Sequence, residues 1–271
     1  MTLAVILGSL LIVALAELLR PRRRREFPAL RRRLGNLGIW LLNVVLAAFV
    51  FASPATFRPQ LEAAFGLTLP AWPIADAAAG FVVGFLLLDL LQYAIHRCQH
   101  VVPFLWRLHA LHHSDPDVDV TTSVRHHPIE YLIATGTSWA VVLALGIPAI
   151  IVMSHAVIVF AAASVTHGNT RLPDWLERWL QPVFITLDLH LVHHSLSSAE
   201  ANANFGAVFS IWDRLFGTYT RLPRAEQERI VFGVRELPRR DAVRPSAMLL
   251  TPWLLRRAIH ARRAAAISSS V

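Results

Sequence analysis

Long apolar runs constrain the fold of this chain more than any other feature. Residues 2–19 are almost unbroken in apolar side chains, and further runs cover about residues 34–51, 74–95 and 129–166. Each run is long enough to cross a hydrocarbon core of about 30 Å at about 1.5 Å per helical residue. The composition is 55% hydrophobic with a mean hydropathy of +0.47, which is too apolar for a soluble domain. The sequence therefore predicts an all-α integral-membrane helical bundle.

The last apolar run is too long for one span and contains Gly146 and Pro148 near its middle. Two short helices that form a hairpin fit this pattern better than one helix. We therefore expect three spans plus a helical hairpin. For the first run, a cleaved signal peptide is the alternative. It has no basic start and no small-residue cleavage site, so a retained anchor is expected.

Arginine is concentrated between the first two runs. All 26 basic residues are arginines, and eight of them lie between Arg20 and Arg33. Without interleaved aromatic residues this is not a nucleic-acid patch, and we interpret it as a topology signal beside anionic lipid. The arginine-rich loop then faces the cytoplasm, and parity places residue 96 and both ends of the hairpin on that same side.

The chain divides into three predicted segments. Residues 1–73 form N-terminal membrane anchor helices and connectors, residues 74–220 hold the polar motifs, and residues 221–271 form a cytoplasmic C-terminal tail. The region after Leu172 has mixed polarity and predicts a histidine-rich cytoplasmic cap rather than a further span. Apolar and arginine positions at 247–263 favour an amphipathic helix at the membrane interface.

Three tight histidine clusters stand out in this apolar chain. They read H-x-x-x-H, H-x-x-H-H and again H-x-x-H-H, and comprise His96, His100, His109, His112, His113, His190, His193 and His194. Histidines three or four residues apart share one face of a helix and can aim at one point. A lone histidine is more often structural, but three clusters predict a metal site.

The ligand type indicates the metal. Histidine with little thiolate or carboxylate suits iron, zinc or copper, and eight or more imidazoles favour two ions with about four ligands each. Cys98 is the only cysteine and falls off the face that His96 and His100 share. His167 is favoured as a further ligand, whereas for His127 ligation and a structural role are equally balanced.

Other polar residues are candidates to orient these ligands. Asp89 lies seven residues before His96 on the same helix face, and an acid inside a span is a functional candidate by default. Less distinctive candidates, each of which is equally consistent with a helix cap or turn, are Asn169, Glu130, Asp188, Asn202, Asn204 and Asp213. For His126, His155 and His260 a structural or exposed role is expected.

The motifs together carry a family resemblance. They are His96-Arg97-Cys98-Gln99-His100, residues 105–114, His126-His127-Pro128-Ile129-Glu130, His167-Gly168-Asn169, residues 190–195, and Asn204-Phe205-Gly206 leading to residues 211–218. Over roughly residues 80–220 the chain resembles the fatty acid hydroxylase/sterol desaturase superfamily of integral-membrane non-haem di-iron enzymes. Trp212-Asp213-Arg214-Leu215-Phe216-Gly217-Thr218 is similar to the sterol desaturase, methyl-sterol oxidase and alkylglycerol monooxygenase branches.

The resemblance implies a function. The eight clustered histidines and His167 would bind two Fe²⁺ ions, with zinc as a substitute in purified protein. O₂ and electrons from a separate electron-transfer protein would then hydroxylate or desaturate a lipid taken from the bilayer, with residues 74–220 as the catalytic domain. The protein is expected in the bacterial inner membrane with its metal site facing the cytoplasm, and without a nucleic-acid partner.

Two alternatives remain open from the residues alone. A zinc-dependent membrane hydrolase would also use histidine ligands, although such sites commonly have three protein ligands and a carboxylate base. A non-catalytic metal- or haem-binding membrane protein is the other, although haem needs only one or two axial ligands.

Overall fold

The computed structural model describes residues 2–50 and 54–268, and in these residues it contains helices, turns and two isolated β-bridges but no strand. The first seven helices are α1 (Thr2–Leu19), α2 (Ala29–Val50), α3 (Pro54–Phe65), α4 (Ala77–Val101), α5 (Pro103–His113), α6 (Pro128–Leu145) and α7 (Ala149–Thr166). Among the described residues, α2, α4, α6 and α7 are long and apolar enough to cross a membrane. The predicted all-helical membrane bundle is confirmed with these four helices.

Helix α1 covers the predicted first apolar run, Thr2–Leu19, and in the searched residues its apolar stretch is Ala4–Leu19. Two predicted boundaries shift. Helix α2 begins at Ala29, before the arginines at 31–33, and α4 continues to Val101. His96 and His100 therefore lie on the spanning helix itself and not in the chain that follows it.

The predicted hairpin is present as α6 and α7. Gly146 ends α6 in the left-handed conformation, with φ of 67°, and Pro148 caps the start of α7. A Cβ on Gly146 would lie 2.2 Å from the carbonyl oxygen of Pro70, so both the backbone conformation and the close contact require glycine.

The arginine-rich segment is largely internal to the protein. Arg22 pairs with Asp188 at 2.7 Å, and the fully buried Arg32 pairs with Asp115 at 2.8 Å and also with Asp119. The interpretation of the whole run as a stretch facing anionic lipid is therefore wrong for these side chains. Their partners lie more than 80 positions away in the chain, where a charge count cannot find them. Arg20, Arg24 and Arg31 do remain exposed.

The residues after α7, here called the cap, contain short helices and one long one. They are α8 (Asp174–Leu180), α9 (Leu187–His193), α10 (Ser198–Ala201), α11 (Ile211–Leu215), α12 (Arg224–Gln227), α13 (Arg239–Ala242), α14 (Pro245–Met248) and α15 (Thr251–Ser268). Helix α15 packs along α5, and its fully buried Leu255 joins Ala110 and Val234 in a small apolar core. The cap thus holds α5, the central histidine helix, in place from outside.

Candidate metal centre

Nine histidines meet in two adjoining groups. The five-histidine group consists of His96, His100, His109, His113 and His193, and the four-histidine group consists of His112, His167, His190 and His194. In each group, one ring nitrogen per residue lies within 4.8 Å of all the others. All eight clustered histidines and His167 are therefore brought together, in two groups rather than at one point.

Helix geometry divides each H-x-x-H-H motif between the groups. His109 and His113 are four residues apart on α5 and join the five-histidine group, whereas His112 joins the other. Neighbouring helical residues differ in direction by about 100°, so adjacent histidines cannot face one centre. At the end of α9, His193 and His194 are divided in the same way.

The four-histidine group has the spacing of a metal site. The Nε2 atom of His167 lies 3.1 Å from that of His112, 3.0 Å from that of His190 and 3.1 Å from that of His194. An ion at about 2.0–2.1 Å from each nitrogen of a tetrahedral set separates the nitrogens by about 3.3 Å. Four imidazole nitrogens this close lack enough protons to satisfy one another, so a cation fits between them.

In the five-histidine group, hydrogen bonds fix which ring nitrogen is free. The Nδ1 atoms of His96 and His193 donate to the carbonyl oxygens of Phe205 and Ala203, at 2.9 and 2.7 Å. The Nδ1 of His109 donates to Glu130 Oε1 at 2.7 Å. Their Nε2 atoms are buried and have no hydrogen-bond partner among the described residues. This leaves the Nε2 lone pairs for a metal, in the arrangement typical of metal-binding histidine.

Burial favours the neutral form of six histidines of the two groups, and this is the form that binds metal. Burial, followed by the neighbouring imidazoles, holds their pKa well below the ordinary 6.5 in His112, His113, His190, His193 and His194. Burial also lowers the pKa of His167, to about 4. Protons therefore compete little with a metal ion near neutral pH.

A loop of the cap supplies the carbonyl groups that orient His96 and His193. Asp213 accepts hydrogen bonds from the backbone N–H groups of Phe205 and Gly206, at 2.7 and 2.9 Å. Asn204 adopts a positive φ of 56°, which turns the chain at this point. Asp213 and Asn204 thus act on the loop, whereas sequence reasoning could only name them as polar candidates.

Glu130 is the carboxylate that supports the centre. Besides His109, it accepts hydrogen bonds from His126 Nδ1 at 3.0 Å and from Gln99 Nε2 at 3.2 Å. His126, expected to be structural, stacks on His112 with ring centroids 4.7 Å apart, and it forms a third possible ligand cluster with His109 and Glu130. In the sequence, Glu130 follows His126 by four residues, and this spacing indicates a contact between the two. It does not identify His109 as a partner of Glu130.

His127, Asp89 and Asn169 lie outside both histidine groups. His127 caps α6 by accepting a hydrogen bond from the Ile129 N–H. Asp89 accepts bonds from the backbone of Val208 and the indole of Trp212.

Asn169 bonds the backbone of Arg23 through both atoms of its side-chain amide. Asp188 forms the ion pair with Arg22 described above, and the Asn202 side chain donates to the carbonyl of Ser198. Of the sequence-predicted polar candidates, therefore, Glu130 is the one whose side chain hydrogen-bonds a clustered histidine within the described part of the chain.

A cavity of about 450 Å³ adjoins both groups. Histidines of both groups form part of its wall, namely His96, His109, His112, His167 and His190. Apolar side chains of α4, α6 and α7 line much of the rest, including Leu88, Leu91, Val142, Val152, Val159 and Phe160. The centre therefore opens into a largely apolar space between membrane-spanning helices.

Replacing Glu130 with Gln should weaken metal binding at the five-histidine group. The loss of the negative charge reduces the basicity of His109, and outer-shell changes of this kind cost about 10–100-fold in metal affinity. Titration of the metal-free protein with Fe²⁺ or Zn²⁺ measures the effect. The exposed Glu226→Gln change is the matched control, and equal affinities in the two variants would show that Glu130 does not support the site.

Comparison with known proteins gives consistent relatives. The chain is 30% identical to ornithine lipid hydroxylase OlsE of Rhizobium tropici over 69% of its length, and 31% identical to human alkylglycerol monooxygenase over 55%. It is 30% identical over 62% of its length to the very-long-chain aldehyde decarbonylase GL1-9 of rice, Oryza sativa subsp. indica. The matches span 55%, 32% and 64% of these three proteins, respectively.

No solved structure matches the chain significantly. The family model for fatty acid hydroxylases matches residues 81–218, which include all nine histidines of the two groups, Glu130 and the loop that orients His96 and His193. This match covers half of the chain. The chain therefore belongs to the fatty acid hydroxylase family.

Proposed function

We propose that this protein is a membrane-bound, O₂-dependent non-haem di-iron oxidoreductase that hydroxylates or desaturates a C–H bond of a lipid. The observation that carries the proposal is the pair of adjoining histidine groups at the wall of an apolar cavity between spanning helices. Nine imidazoles exceed the three or four protein ligands of a zinc site, and they favour two ions of a metal with higher coordination.

Each histidine group would hold one Fe²⁺ ion. Bound iron supplies the redox chemistry that O₂ requires, with two electrons from a separate electron-transfer protein. The chain's own part begins with orientation: Phe205, Ala203 and Glu130 hold three imidazoles so that their Nε2 atoms converge. Fixed ligands keep the centre in one geometry while a substrate enters beside it.

The cavity would position one carbon of the lipid. Leu88, Val142 and Val152 provide apolar walls, so a hydrocarbon chain replaces water along the length of the space. Exclusion of water protects a strongly oxidising centre from side reactions. Because the cavity lies between spanning helices, the hydrocarbon chain of the lipid can enter it from the bilayer.

The relatives support a lipid substrate. Two of them are named for ornithine lipid and alkylglycerol, and the third is named for very-long-chain aldehydes. We extend lipid oxidation to this chain, with residues 74–220 as the catalytic domain, 1–73 as the anchor and 221–271 as the tail. Arg22, from the arginine-rich segment, pairs with Asp188 of the cap, which favours a cytoplasmic metal site at the bacterial inner membrane.

Lipidomic comparison of membranes with and without the protein tests this function. A substrate should gain one oxygen atom or lose two hydrogen atoms, which identifies both the lipid and the outcome. In reconstituted membranes, turnover should require Fe²⁺, O₂ and an electron donor. Hydrolysis that proceeds without O₂ and reductant would instead indicate a zinc enzyme, and a Soret band without turnover would indicate haem binding.

A further inference from the structure

One segment of the cap packs against α4 well before the histidines of that helix. Residues 204–218 begin at the histidines, where the Phe205 carbonyl accepts from His96. The same segment then reaches Asp89, whose carboxylate accepts from the backbone N–H groups of Val208 and Phe209 at 3.2 and 3.3 Å. The point of this segment farthest from the histidines is Phe209, whose ring centroid lies 6.1 Å from that of Phe85.

The position along α4 gives the depth of these contacts. Asp89 and Phe85 precede His96 by seven and eleven residues, or about 10 and 16 Å at about 1.5 Å per residue. Phe85 is eight residues, or about 12 Å, from the other end of α4, which begins at Ala77. The contacts therefore lie near the middle of a membrane-spanning helix.

The chain then returns to the level of the histidines. The Trp212 indole donates to Asp89 at 2.8 Å, and the Phe216 ring stacks on Tyr93 with centroids 5.3 Å apart. Finally, the Asn204 N–H donates to the Thr218 carbonyl at 2.9 Å, so the two ends of the segment are hydrogen-bonded to each other. We call residues 204–218 the deep hairpin.

A second piece of chain accompanies the deep hairpin at its lowest point. Ser210 N–H donates to the Val183 carbonyl, and Ile185 N–H donates to the Val208 carbonyl, both at 2.9 Å. The ring of Phe184 lies 5.6 Å from that of Phe209. Residues 181–186, between α8 and α9, therefore reach the same depth.

Polarity in this region is inverted relative to a water-soluble surface. Apolar side chains face outward, with Trp179 73% and Leu215 67% exposed, whereas Gln181, Ser210 and Asp213 are buried. The turn amides at the bottom are satisfied by Asp89, as non-helical backbone at membrane depth requires. These features are typical of protein that contacts lipid.

Two arginines are also exposed in this region, and both are compatible with a lipid environment. The Arg214 guanidinium lies 3.8 Å from the centroid of the Tyr219 ring and donates to the Gln181 carbonyl at 3.2 Å. Arg178 is on α8, between Trp175 and Trp179. A long arginine side chain can bury its stem in the apolar region while its charge reaches the interface.

We propose that the deep hairpin and residues 181–186 are re-entrant elements, inserted from the cap into the bilayer and covered on their outer face by lipid acyl chains. Asp89, an acid inside a spanning helix, is then the anchor that holds the inserted backbone. Phe205, Gly206 and Ala207 of the hairpin also line the cavity, so the hairpin forms a wall between the cavity and the bilayer.

Spin labels at defined positions test the proposal. In a Cys98→Ser background, Leu215→Cys and Phe184→Cys each carry one nitroxide in proteoliposomes of phosphatidylcholine and phosphatidylglycerol. Collision with O₂, which concentrates in acyl chains, is compared with collision with water-soluble chromium oxalate. The ratio of O₂ to chromium oxalate should be several-fold higher at both sites than at the control Glu226→Cys, which is exposed on α12.

The structure also predicts an order. Phe184 sits beside Phe209 at the level of Phe85, whereas Leu215 adjoins Phe216 at the level of Tyr93, so the ratio should be higher at residue 184. A ratio at Leu215 and Phe184 equal to that at Glu226 would place the hairpin in water and overturn the proposal. Far-ultraviolet circular dichroism and retained metal binding verify that each variant is folded. The measurement is independent of whether the protein oxidises lipid.

Discussion

Replacing His194 with alanine is expected to reduce bound iron from two ions to no more than one per chain and to abolish lipid oxidation. The Nε2 of His194 lies 3.1 and 3.2 Å from the Nε2 atoms of His167 and His190, at the heart of the four-histidine group. Without it, three imidazoles remain, and the ion at this group is held too weakly to be retained. Activity should fall by at least 10²-fold, because the chemistry requires both ions.

The matched control for this change is His260→Ala. His260 lies on α15 and is exposed, so its loss should alter neither iron content nor turnover. Iron is counted by elemental analysis after anaerobic loading, and turnover is measured by mass spectrometry of the lipid. Two ions per chain and full activity in His194→Ala would rule out the proposed ligand set.

Replacing Arg32 with alanine should strongly destabilise the protein. Arg32 is completely buried and pairs with Asp115 and Asp119, so its removal leaves two carboxylates buried with reduced compensation. Breaking a buried ion pair from one side typically costs about 3–5 kcal/mol. Asp119 would keep Arg33, at 2.8 Å, whereas Asp115 has no other cation among the ion pairs of the described residues. The decrease is measured as a lower Tm in detergent.

The neighbouring Arg31→Ala change is the control for charge and helix position. Arg31 is on the same turn of α2 but is exposed, so its replacement should shift Tm by little. An equal and small shift in both variants would mean that the buried network contributes little to stability. An equal and large shift would point to net charge near the membrane instead.

The sequence identifies the histidines because their spacing has a direct structural meaning. Residues three or four apart share a helix face, and this predicts a metal site before any tertiary information is available. The division of His112 from His113 also follows from helix geometry. It becomes visible only once α4, α7 and α9 are placed around α5 and supply the other histidines of the two groups.

Other features of the site depend on contacts between distant parts of the chain. The carbonyl groups of Ala203 and Phe205 orient two histidines, and backbone groups leave no residue-type signal. The sequence predicts Asp89 as a residue that orients the ligands, but its partners are Val208 and Trp212, which follow it by more than 100 residues. Pairing at this range is decided by the packing of the cap, which periodicity does not report.

The division of adjacent histidines between the two groups has a consequence for assembly of the centre. His112 and His113 are joined by one peptide bond, as are His193 and His194. Each of these pairs therefore connects the two histidine groups directly through the backbone. An ion that orders α5 and α9 at one site thereby prepares the ligands of the other, and part of the ordering entropy is lost only once. Metal uptake is therefore expected to be positively cooperative, with few molecules holding a single ion.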